Sequence, residues 1–116
     1  MINFTDFVNN LRARFKKNNF YTLDLPPIAL SHLVDLKTNK ESLFIQSEDK
    51  AIIIYENENR CVVLGSILTA NKRKFKQLLV LNFSQSLNQI LDNTNNVIEE
   101  EDIIQTLINW LKKQVT

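Results

Sequence analysis

Apolar positions divide the chain into segments with distinct periods. Phe4, Phe7, Val8, Leu11 and Phe15 recur at three- and four-residue spacing. That spacing puts one apolar stripe on a helix near residues 3–18, with Arg12, Lys16 and Lys17 outside the stripe. Thr5 is a candidate cap for a slightly later start. Asn18 and Asn19 end the helix, because asparagine tolerates the left-handed backbone. Residues 20–25 alternate as a short strand, and Pro26-Pro27 stops it. From Ile28 to Leu36 the pattern fits a strand or a short helix after a proline start, and the helix is preferred.

The centre reads as extended chain. Leu43-Phe44-Ile45, Ile52-Ile53-Ile54 and Cys61-Val62-Val63-Leu64 are separated by two polar tetrads, Ser47 to Lys50 and Glu56 to Asn59. Each tetrad is short enough to reverse the chain between antiparallel neighbours, so three strands form a meander. The three isoleucines do not alternate, which fits a strand covered on both faces. Ser66 to Ala70 extends the sheet or leaves it, and Leu78 to Leu81 reads as another strand. Phe75, Leu79, Phe83, Leu87 and Ile90 also recur at nearly helical spacing, so a helix from about Lys72 competes. The preferred assignment is a strand and then a short helix from Ser84 to Leu91.

Asp92 to Asn96 is a loop, and a long helix follows from about Val97 to Gln114. Asn96 is its expected cap and Glu99 the reciprocal partner, with Glu100, Glu101 and Asp102 near the positive helix end and Lys112 and Lys113 near the negative one. Ile103, Ile104, Leu107, Ile108, Leu111 and Val115 form the packing face, with Trp110 at its margin. The expected fold is therefore α+β: an N-terminal amphipathic helix, a central antiparallel β-meander of three to five strands, and a C-terminal helix packed on the sheet. One domain is expected over residues 1–116, since a chain of this length and 44% hydrophobic content supports one modest core.

Candidate chemistry is sparse. His32 and Cys61 are the only residues of their types. No paired cysteines offer a zinc site, and a single cysteine cannot form an intrachain disulfide. Cys61 lies among apolar neighbours and reads as core packing, and on a central strand a Cys61–His32 nucleophile and base pair has poor access to substrate. Asp49, Glu56 and Glu58 sit in or beside the chain reversals, where acidic residues are ordinary turn formers. A phosphate-cradling loop needs several glycines, and Gly65 is the only one; it reads as a bend or bulge. No catalytic, cofactor-binding or metal residues are assigned, no cofactor is expected, and the chain is read as non-enzymatic.

Charge adds a second option. The net charge is only +1, but Arg12, Arg14, Lys16 and Lys17 are close together, and Lys72-Arg73-Lys74-Phe75-Lys76 is the densest basic run. If the two segments meet, Arg12, Lys16, Lys72, Arg73, Lys74 and Lys76 would track a phosphate backbone, with Phe75 or Tyr21 free to stack on a base. The leading expectation is instead a protein-protein interaction module: a small subunit, adaptor or assembly chaperone. Its candidate interface is Phe4, Phe7, Phe15, Leu107, Trp110 and Leu111, with a protein partner or a homodimer through the terminal helix or a sheet edge. A small-molecule substrate is not evident. The start carries no basic segment followed by an apolar run, and no stretch is long enough to span a bilayer, so a cytoplasmic location is expected, with the nucleus equally consistent.

Overall fold

The computed structural model describes residues 2–34, 40–68 and 74–113. Among them the elements run in the order α1 (Phe4–Lys17), β1 (Tyr21–Leu25), α2 (Pro27–Leu33), β2 (Ser42–Ser47), β3 (Lys50–Asn57), β4 (Arg60–Ile67), β5 (Lys76–Ser84), β6 (Gln89–Leu91), β7 (Val97–Ile98) and α3 (Glu100–Lys112). The strands make one antiparallel sheet whose spatial order is the chain order, β1 to β7. The α+β class and the helix-flanked meander stand; the sheet has seven strands rather than three to five, and a third helix joins the two terminal ones.

Local chemistry explains most boundaries. The side chain of Asn3, not Thr5, caps α1 by accepting from the Asp6 amide at 2.8 Å. Asn19 leaves the helix at φ 66°. Glu48, and Glu58 with Asn59, take positive φ in the two tight reversals, so side-chain residues occupy backbone positions that glycine usually fills.

Two assignments change. Ser84 to Leu91 is not a helix: Ser84 ends β5, its Oγ accepts the Leu87 amide at 3.3 Å, Asn88 turns at φ 51°, and Gln89 begins β6. Serine and asparagine here close a hairpin, so the helical spacing of Phe83, Leu87 and Ile90 is coincidental. The last helix also starts later than Val97. Val97 and Ile98 pair with Leu91 and Ile90 as β7, and Glu99 occupies the cap position without a side-chain bond. Asn96 is held in the preceding turn, its amide donating to Asp92 Oδ1 at 2.9 Å.

The sheet has two covered faces. On one, α1 and α3 pack over Leu43, Ile45, Ile52, Ile54, Cys61, Val63, Leu81 and Ile90. On the other, Leu30 of α2 packs with Ile53, Tyr55, Val62 and Leu64. The isoleucine run thus serves both cores, Ile52 and Ile54 facing one way and Ile53 the other, as non-alternating sequence requires of a central strand. The register slips between β4 and β5: Val63 pairs with Leu79 but Leu64 with Gln77, which leaves Leu78 as the extra residue of a bulge.

Helices α1 and α3 lie side by side and advance in the same direction. Asn10 Nδ2 donates to Glu100 Oε1 at 3.2 Å, Arg14 forms a bidentate pair with Glu101 at 2.6 and 2.8 Å, and Lys112 Nζ donates to Asn18 Oδ1 at 3.2 Å. Parallel helix dipoles repel, and acidic first turns with basic last turns offset that repulsion.

Candidate functional site

The residues singled out for chemistry do not converge. Cys61 is fully buried on the face covered by α1 and α3, whereas His32 is exposed on α2, across the sheet. Burial pushes the Cys61 thiol well above its ordinary value, with the charge of Glu56 adding to the effect. The two side chains therefore cannot work as a nucleophile and its base. Among the described residues no group of three or more His, Cys, Asp or Glu side chains is arranged to hold a metal ion. Among the described residues, Ser42 Oγ and Ser66 Oγ are buried without a hydrogen-bond partner.

The six residues read as a candidate interface occupy two environments. Phe7, Phe15, Leu107 and Leu111 are buried in the core between the helices and the sheet, while Phe4 and Trp110 are half-buried at its edge. Phe7 packs on Phe83 with ring centroids 5.6 Å apart, and Phe15 meets Phe20 edge-on at 6.0 Å. A seven-stranded sheet has more surface to cover than a thin three-stranded one, and the terminal helices use their apolar stripes for that.

Exposed apolar area lies elsewhere. On β1, Tyr21 is 58% and Leu23 43% exposed, and on α2, the next element in the chain, Ile28 is 72% and Leu33 43% exposed; Ile67, Leu68, Leu87 and Val97 are exposed as well. Tyr21 and Leu23 are on the α2 side of the sheet, because Leu23 pairs with Phe44, which packs there. β1 is an edge strand of five residues, while the opposite edge, β7, has only two. No proline, lysine or bulge interrupts β1. Its single charged residue, Asp24, is tied on the helix side by Arg12, Nη2 to Oδ1 at 2.7 Å. Sequence reasoning identified the strand but not its edge position, since neighbours in a sheet are not a local property; the missed signal was a strand with apolar residues at positions 21, 23 and 25 lying between two helices.

Charge is separated along the strands. At one end lie the last turns of α1 and α3, the β2–β3 turn and the start of β5, bringing Lys16, Lys17, Lys112, Lys113, Lys74 and Lys76 together against Glu48 and Asp49. At the other end lie the helix starts and the β3–β4 turn, with Asp6, Glu56, Glu58 and the run Glu99 to Asp102 against Arg60, Lys40, which pairs with Glu56, and Arg14, which pairs with Glu101. The two basic segments thus share one end of the sheet. Lys16, Lys74 and Lys76 are exposed there, Arg12 is set back in its pair with Asp24, and Lys72 and Arg73 lie outside the described residues. Phe75, offered as a stacking ring, is half-buried in the core on the α2 side, while Tyr21 is exposed.

Comparison with protein-family models, with curated proteins and with solved structures gives no match. No helix among the described residues is long and apolar enough to cross a membrane.

Proposed function

We propose that this chain is a protein-protein interaction module, a small subunit, adaptor or assembly chaperone, that docks through the β1 edge and α2. The observation that carries the reading is one strand. Among the described residues β1 has no strand on its outer side, Tyr21 and Leu23 are exposed on it, and Ile28 and Leu33 are exposed on α2, the next element in the chain. Edges of that kind are normally blunted by charge, proline or brevity, as β7 is by its length; one left open suits strand addition by a partner. The terminal aromatic residues, being largely core, contribute to this function by holding the sheet rather than by touching a partner.

Photo-activated cross-linking in the native host tests the reading. A cross-linkable residue at Tyr21 is expected to capture a discrete protein adduct, and the same residue at Leu87, exposed in the β5–β6 turn, is not. Adducts at Leu87 with none at Tyr21 overturn it.

A second reading has its own support. The lysines of α1, β5 and α3 share one end of the sheet, spread from β1 to β5 over four strand spacings, roughly 19 Å. That width suits a single-stranded nucleic acid crossing the end. The expected behaviour is retention of a mixed oligonucleotide at low salt, steep release as salt rises, and loss on the paired substitutions Lys76→Glu and Lys112→Glu. Absence of retention at low salt sinks it.

A further inference from the structure

We propose that the occupant of the β1 edge is a second copy of this chain, paired antiparallel about a two-fold axis through Leu23; this rests on β1 and α2 being the docking face. The axis that pairs all five residues of Tyr21–Leu25 with their equivalents passes through the middle residue. It sets Leu23 against the partner's Leu23, Tyr21 against the partner's Leu25, and Thr22 against the partner's Asp24. The two seven-stranded sheets become one, and the exposed Tyr21 and Leu23 of both copies become continuous across the axis.

Charge selects this occupant and this orientation. α1 lies over β1 and runs against it, since only three residues, Asn18 to Phe20, join the end of α1 to the start of β1 and Arg12 reaches Asp24 near the other end of the strand. Arg12 engages Asp24, and Lys16 follows one helical turn later on the same helix face, roughly 6 Å further along. Two strand residues back from Asp24 is Thr22, roughly 6.8 Å along the same direction. Exposed Lys16 therefore lies beside Thr22, where the two-fold brings the partner's Asp24. Arg12 holds Oδ1 of Asp24 and leaves Oδ2 for that second cation. The antiparallel arrangement also sets the lysine-rich end of each copy beside the acidic end of the other. A copy added in the parallel sense would align like with like and lose both effects.

The test uses the full chain. Sedimentation equilibrium at micromolar concentration is expected to give a dimer. Leu23→Cys is expected to form a disulfide-linked species of twice the chain mass under mild oxidation, because paired Cα atoms across an antiparallel ladder lie roughly 4.5–5.5 Å apart, within disulfide reach. Leu87→Cys is expected not to, and the buried Cys61 does not compete. Lys16→Glu is expected to weaken the dimer about tenfold at low salt, and Leu23→Lys to give a monomer with an unchanged circular dichroism spectrum. A strictly monomeric wild type, or a dimer in which Leu23→Cys fails to cross-link, overturns the proposal. If a monomeric wild type still gives a Tyr21 adduct with a different protein, only the second copy is overturned and the docking face stands. If Tyr21 gives no adduct of any kind, the docking face falls too.

Discussion

Lys50 is buried beneath Trp110, its ammonium 5.1 Å from the ring centroid and donating to the Trp110 backbone carbonyl at 2.6 Å and to that of Lys113. At 4% exposure this lysine has no carboxylate beside it in these contacts; it satisfies the last carbonyls of α3, which a helix end leaves unpaired. The start of β3 is thereby fastened to the end of the last helix.

Replacing that lysine tests the fastening. Lys50→Met keeps most of the apolar stem and removes the donor, so the helix carbonyls lose a charged partner. Urea unfolding is expected to show a loss of about 1–3 kcal/mol, and amide exchange is expected to quicken in the last turn of α3 before it does in β3.

Gly65 is required by close approach, not by unusual backbone angles. A Cβ there would lie 2.5 Å from Leu78 Cδ1, 2.8 Å from Leu78 Cγ and 3.0 Å from Trp110 Cη2. Gly65→Ala is expected to cost about 1–3 kcal/mol through overpacking. Leu78→Ala opens the space, so the double variant is expected to be more stable than the sum of the two single losses implies. Additive losses in thermal unfolding would show that the bulge residue is not what confines Gly65.

Two surface carboxylates are expected to contribute to the acid limb of stability. The hydrogen bonds from Arg14, with its charge, hold Glu101 below the usual carboxylate range, and the Thr94 hydroxyl with the Asn96 and Thr94 amides does the same for Asp92. Both folded values lie below the unfolded ones. Their stabilisation is therefore present above the unfolded value and is lost as pH falls through the folded one. Glu101→Gln and Asp92→Asn are each expected to flatten the decline of the melting temperature below the ordinary carboxylate pKa while leaving its slope near neutrality unchanged.

Cys61 is expected to be inert in the native protein. The thiolate is the reactive form, and complete burial disfavours it. A thiol reagent added at mildly alkaline pH should label the chain only at the rate of unfolding, and in full once denaturant is present. Rapid stoichiometric labelling without denaturant would contradict this placement.

How much could be read from local pattern varies along the chain. α1, the three central strands and the body of α3 follow from spacing, because a period of 3.6 or 2 is a property of neighbouring residues. β6 and β7 have three and two residues, too few to carry a period, and they exist because β5 supplies the first hydrogen-bonding template. The segment after Ser84 therefore read as helix, and Val97-Ile98 was absorbed into the helix that follows.

Residue order alone specified which side chains are apolar, where the turns fall, and that no cluster of nucleophile, base and metal ligands lies within a short stretch of chain. Assembly of the sheet decided the rest. It buried Phe7, Phe15, Leu107 and Leu111, put β1 at an open edge, set Cys61 and His32 on opposite sides, and gathered lysines from three elements at one end. These depend on which strand lies beside which and on the parallel course of α1 and α3, relationships between residues up to about ninety positions apart that only cooperative packing creates.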